Sequence, residues 1–153
     1  MDTILKAENI WKTYGSSSVK VNALNGIDLS FAKGRFYSVI GRSGSGKSTL
    51  LYVLSGLEKP TRGNVFFEGK DLSEYPDGQM AVFRRRHMGF VFQQYNLMEE
   101  YNVLENICMP LKLDQRKPDS GFLHTVLETL GLSDKQKKYA PELSGGEQQR
   151  VAI

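Results

Sequence analysis

The sequence predicts an α/β fold with a β-rich N-terminal part and an inserted helical subdomain, and three observations carry that prediction. The first third alternates strand-like runs with turns. A short aromatic and β-branched run then meets a glycine-rich loop, after which the apolar period lengthens from that of a strand to that of a helix. Beyond residue 93 the strand-like runs give way to helical patterns.

The elements follow in chain order. Residues 4–10 read as an extended segment. Residues 23–31 alternate apolar and polar side chains through Leu24, Ile27, Leu29 and Phe31, and end in the turn Ala32-Lys33-Gly34. Phe36-Tyr37-Ser38-Val39-Ile40 predicts a buried strand, because aromatic and β-branched residues suit a pleated surface. Leu50, Leu54 and Leu57 recur at helical spacing, so a helix is expected from Lys47 to about Gly56. Lys59-Pro60-Thr61-Arg62-Gly63 is a turn and residues 64–68 a strand, followed by the turn Glu68-Gly69-Lys70-Asp71. A helix over 77–87 and an apolar strand over 88–92 complete this part. Helices are then expected at 103–112 and 119–130, separated by Gln115-Arg116-Lys117-Pro118. The expected division is a core over 1–93, a helical subdomain over 94–143, and a final segment over 144–153. Ser16-Ser17-Ser18 is expected to be a short flexible loop.

The 153 residues suffice for one domain with its own core. The composition, 40% hydrophobic and 24% charged, is ordinary for a globular protein. A net charge of +3 suits an anionic ligand but lacks the clustered basic face of a nucleic-acid binder. The Arg84 to His87 run is most simply a solvated basic helix end. One cysteine, Cys108, excludes an intrachain disulfide and fits a reducing compartment. The N-terminus has no apolar signal core. No stretch approaches the roughly 20 apolar residues of a membrane helix, so a membrane role is expected to run through a partner.

Gly41-Arg42-Ser43-Gly44-Ser45-Gly46-Lys47-Ser48 completes the spacing G-x-x-x-x-G-K-S between a predicted strand and a predicted helix. Glycines at 41, 44 and 46 let the backbone curve around phosphate with no Cβ in the way. Successive N–H groups then form an anion nest, and the following helix adds its positive N-terminal end. The Lys47 ammonium reaches the β- and γ-phosphates, and the Ser48 hydroxyl is placed for magnesium. Thr49 follows in the first helical turn. With glycine averaging about 7%, chance assembly of this pattern is about a 1% event in a chain of this length.

A second motif stands at Leu143-Ser144-Gly145-Gly146-Glu147-Gln148-Gln149-Arg150. Ser144 and Glu147 have the S-x-x-E spacing of a capping box at a helix start. The glycines between them would each cost about 1 kcal/mol relative to alanine, which suggests close approach to the backbone. A helix N-terminus of this kind is a second anion site.

A P-loop joined to L-S-G-G-E-Q in one chain closely resembles the ATP-binding subunit of ABC transporters, over essentially the whole sequence. The resemblance implies a P-loop NTPase of the ABC type, ATP and Mg2+ as cofactors, and a role in powering export. It implies that Ser144, Gly145, Gly146 and Glu147 contact the γ-phosphate of ATP held by a second subunit, in a head-to-tail dimer. Tyr14, in Trp11-Lys12-Thr13-Tyr14-Gly15, matches the aromatic residue that stacks on adenine. Gln93, in Phe90-Val91-Phe92-Gln93-Gln94, matches the glutamine that meets the magnesium or the attacking water, with Gln94 the alternative. The segments 83–93 and 102–107 resemble the branch of antimicrobial-peptide and macrolide exporters and lipoprotein-release ATPases. Residues 94–113 would then meet transmembrane permease subunits, placing the chain at the inner face of the cell membrane.

No segment has four apolar residues followed by Asp-Glu, the pattern of the Walker B strand. The chain is therefore expected to be cut after its signature motif, without the catalytic glutamate, and to bind nucleotide at most. His87 and His124 precede the signature and do not fit the switch histidine. An unpaired strand edge is expected to favour self-association or a mobile signature region. Competing readings are a soluble ABC-type ATPase of DNA repair or translation, and a nonfunctional remnant.

Overall fold

The computed structural model describes residues 2–15 and 19–153; the loop expected at 16–18 lies outside them. The chain forms two compact units, Met1–Gly89 and Phe90–Ile153. This division falls ahead of the one expected after residue 93, and residues 144–153 pack within the second unit.

In the first unit, β1 (Thr3–Tyr14), β2 (Val21–Ala32), β3 (Arg62–Phe67) and β4 (Lys70–Asp71) form one antiparallel sheet in the order β2-β1-β3-β4. Its long strands bend because the register slips. Lys12 pairs with Leu24 and Ile10 with Ile27, so β2 carries an extra residue there, with Gly26 at φ 62°. Asn9 sits in β1 at φ 47°, where a short polar side chain is tolerated. Its N–H donates to Asp28 Oδ1 at 2.9 Å, and its own Oδ1 accepts the Trp11 indole N–H at 2.8 Å. Side-chain acceptors thus satisfy a bulge that the ladder leaves open.

Helix α1 (Lys47–Leu54) covers this sheet through Leu50, Val53 and Leu54, which join Ala7, Ile10, Leu24 and Val65 in the core. Helix α2 (Asp77–His87) adds Met80 and Phe83, with Phe83 edge-on to Phe67 at 5.2 Å. The basic end of α2 is only partly solvated. Arg84 donates to the Gly56 carbonyl at 2.8 Å and His87 stacks on Phe83 at 4.9 Å.

Two expected strands do not form. Residues 36–40 form no regular element and join no described strand, with Phe36 95% and Ile40 88% exposed. Among the described residues no backbone hydrogen bond engages them. Strand propensity expresses fit to neighbouring strands, and no described strand lies alongside. Tyr37 is anchored, accepting the Ala32 N–H at 2.8 Å and meeting Phe31 edge-on at 5.0 Å. Residues 88–92 alternate half-buried and exposed, as a strand would, but join no ladder.

The second unit holds α3 (Val103–Leu113), α4 (Ser120–Thr129) and α5 (Gly145–Ala152) around Val103, Leu127, Leu132, Leu143 and Val151. A capping box of Asn102 and Glu105 starts α3. Asn106 ties the preceding loop to it, donating to the carbonyls of Met98, Tyr101 and Asn102 and accepting the Met98 N–H. Asp119 caps α4 through the Phe122 N–H at 2.8 Å.

Candidate functional site

In the first unit the glycine-rich loop, Gly41 to Ser45, is exposed and leads into α1 at Gly46. Gly44 and Gly46 lie in the left-handed region at φ 77° and 85°. At Gly46 the requirement is steric as well, because a Cβ would be driven into the Ala23 carbonyl of β2. The helix start has no side-chain cap. Among the described residues, the N–H groups of Lys47, Ser48 and Thr49 have no backbone partner. Uncapped donors at an exposed helix start form a site that accepts an anion.

Lys47 folds back over this loop. Its ammonium donates to the Gly41 carbonyl at 2.9 Å and the Arg42 carbonyl at 2.7 Å. The Ser45 N–H turns inward to the Arg42 carbonyl at 3.3 Å. The loop is therefore curled around the lysine, with its charge at the mouth of the cradle. The Ser48 side chain is exposed and Thr49 half-buried. Arg42 and Ser43 are exposed.

Tyr14 ends β1 and is 38% exposed. Its hydroxyl donates to Glu58 Oε2 at 2.6 Å. The Thr49 side chain interacts with the Tyr14 hydroxyl, so Tyr14 meets the helix that carries Lys47 and Ser48. Lys12 reaches Glu58 Oε2 at 3.0 Å and the Lys59 carbonyl at 2.8 Å, and its ammonium lies 5.1 Å from the Tyr14 ring centre. The Tyr14 hydroxyl is pushed above its ordinary pKa by burial and by the Glu58 carboxylate. Glu58 is held below the usual carboxylate range, first by the Tyr14 hydrogen bond and then by Lys12. Sequence reasoning missed Glu58 and Lys12. The Tyr14–Glu58 hydrogen bond joins positions 44 apart in the chain, and no local spacing marks it.

In the second unit, Ser144 caps α5. Its hydroxyl accepts the Glu147 N–H at 3.3 Å and donates to Glu147 Oε2 at 2.8 Å, while the Ser144 N–H donates to the same oxygen at 2.7 Å. These bonds hold the Glu147 carboxyl below its ordinary pKa. Lys135 approaches its other oxygen at 3.9 Å. Open space surrounds Gly145, and a Cβ on Gly146 would meet only an Arg150 nitrogen at 3.7 Å. Nothing in this unit therefore demands glycine at either position. Gln93 is exposed in a turn, just before Tyr95 and Asn96 at φ 60° and 53°. Among the described residues there is no His/Cys/Asp/Glu cluster of the kind that cages a metal, and no helix long and apolar enough to cross a membrane.

The sequence profile described as "ABC transporter" matches residues 24–153. The chain belongs to the ABC transporter ATP-binding family. It is 47% identical, over its full length, to the lipoprotein-releasing system ATP-binding protein LolD of Aquifex aeolicus, and spans 67% of that protein. It is 42% identical over 97% of its length to the bacitracin export ATP-binding protein BceA of Halalkalibacterium halodurans, and spans 60% of it. The dimeric ABC transporter cassette MJ0796 superposes with a TM-score of 0.87 at 37% identity, covering 98% of this chain and 67% of the cassette. The same cassette has been solved as a dimer bound to ADP and Pi after hydrolysis. The fold is that of the family's α/β ATPase cassettes, and the chain spans about two thirds of the length of these relatives or less.

Proposed function

We propose that this chain is the nucleotide-binding part of an ATP-driven transporter subunit, of the export and lipoprotein-release type that the names of its relatives describe. The observation that carries this reading is the uncapped start of α1, with the Lys47 ammonium folded over the loop carbonyls at 2.7 and 2.9 Å. The residues suit a nucleoside triphosphate. Gly41, Arg42, Ser43, Gly44, Ser45 and Gly46 would supply the backbone cradle, Lys47 the charge on the β- and γ-phosphates, and Thr49 a further first-turn N–H. Ser48 would offer its hydroxyl to a magnesium ion that the phosphates themselves largely hold, which needs no carboxylate cage. Magnesium bound there screens the phosphate charge. Tyr14 would stack on adenine.

The remaining assignments concern the larger assembly. Ser144, Gly145, Gly146 and Glu147 would face the γ-phosphate on a second ATP-binding subunit, and the empty space beside both glycines favours close approach. Gln93 would position water or magnesium. The helical subdomain would meet transmembrane permease subunits and hold the protein at the cytoplasmic face of the membrane. Because no Asp-Glu follows an apolar run in this sequence, the 153-residue chain would take up ATP without turning it over at a steady rate.

Titration of the purified chain with MgATP by isothermal calorimetry tests the reading. The expected result is saturable binding that falls at least about tenfold in Lys47→Ala, the scale of one lost charge-assisted contact. No binding, or binding indifferent to Lys47, overturns it. Steady phosphate release that disappears in Lys47→Ala would overturn the predicted lack of turnover.

A further inference from the structure

We infer that Glu58 is a positioning residue for nucleotide base recognition: with Lys12 it locks the Tyr14 ring as a preformed platform at the end of β1. The inference rests on the nucleotide reading above and extends it to residues outside the phosphate cradle. Glu58 follows α1, on the far side of that helix from its phosphate-binding start. Its Oε2 atom takes two charge-relevant donors at once, the Tyr14 hydroxyl at 2.6 Å and the Lys12 ammonium at 3.0 Å. Lys12 is fixed in turn by the Lys59 carbonyl at 2.8 Å.

The strand end that carries Tyr14 is clamped to the same turn from a second side. The Thr61 N–H donates to the Trp11 carbonyl at 2.7 Å, and the Thr13 N–H donates to Thr61 Oγ1 at 3.0 Å. Tyr14 is therefore held at both its backbone and its hydroxyl. A tyrosine at the end of a strand otherwise samples several rotamers, and fixing one on binding costs affinity. Here that ordering is already done by protein groups. Glu58 and Lys12 are well shielded, with side-chain exposures of 32% and 16%, so the pair is less screened than an open surface pair. A single arrangement follows: the hydroxyl edge is tethered to Glu58, the Lys12 ammonium lies over one ring face at 5.1 Å, and the ring keeps exposed surface for a base.

The test compares MgATP with magnesium tripolyphosphate, which carries the phosphates but no base, on the full chain. Glu58→Ala is expected to weaken MgATP binding about three- to tenfold and to leave tripolyphosphate unchanged. Glu58→Gln, which keeps an acceptor for the Tyr14 hydroxyl, is expected to restore most of the loss. Tripolyphosphate binding also reports that each variant retains its fold around the loop. If Glu58→Ala leaves MgATP affinity intact while Tyr14→Ala lowers it, the positioning role is wrong and the Tyr14 reading stands. Equal losses for both ligands would make Glu58 merely structural and overturn the inference. Unchanged MgATP binding in Tyr14→Ala would remove the platform itself. Failure of the unsubstituted chain to bind either ligand would instead sink the nucleotide reading.

Discussion

Gly46 shows how a motif residue becomes a structural demand. Its φ of 85° is already unfavourable for an L-residue, and the Ala23 carbonyl occupies the place a Cβ would take. Gly46→Ala is therefore expected to destabilise the chain by about 2 kcal/mol or more, read as a lowered melting temperature. Gly44→Ala has the same kind of φ, 77°, but meets open space, so its loss should be smaller. Equal melting shifts for the two variants would refute the role given to Ala23. The phosphate motif was legible because its spacing is local. The Tyr14–Glu58–Lys12 contact was not, because it exists only once β1 and the turn after α1 are brought together.

Helices were the elements most readable from sequence, because their apolar period and, at α5, their cap are short-range features. Ser144 and Glu147 form the box their spacing predicts, and Asp77–His87 stands where the pattern places it. Ser144→Ala should cost about 1 kcal/mol, the usual worth of an N-cap, measured by chemical denaturation. The pH sign is fixed by Glu147, whose folded pKa is depressed, chiefly by the Ser144 N–H. Its contribution is complete above the ordinary glutamate value of about 4.5 and is lost as pH falls through the lower folded value. Glu147→Gln should flatten that acid limb; an unchanged pH profile would contradict it. The strands at 36–40 and 88–92 were misjudged for the opposite reason. Their residues suit a sheet, but a strand is completed by its neighbour, and alternation of apolar residues does not say whether one is present.

At the scale of the molecule, each unit has its own buried cluster, while residues 36–40 leave an apolar run and its backbone unpaired. Such an edge is a template for another chain. Amides of residues 36–40 should exchange with solvent much faster than those of β1, and light scattering should show association that grows with protein concentration. Slow exchange at 36–40 in a monomeric sample would show that this edge is covered. The fold class followed from the order of local patterns, whereas the division between Gly89 and Phe90 depends on which helices share a core.

The capping box at α5 has a consequence for whatever meets that helix. Glu147 Oε2 already lies against the Ser144 N–H and hydroxyl, so the helix arrives with a tethered anion of its own. A phosphate approaching the open backbone of Gly145 and Gly146 would meet that carboxylate as a like charge beside it, and Lys135, 3.9 Å from the other oxygen, would offset part of the repulsion.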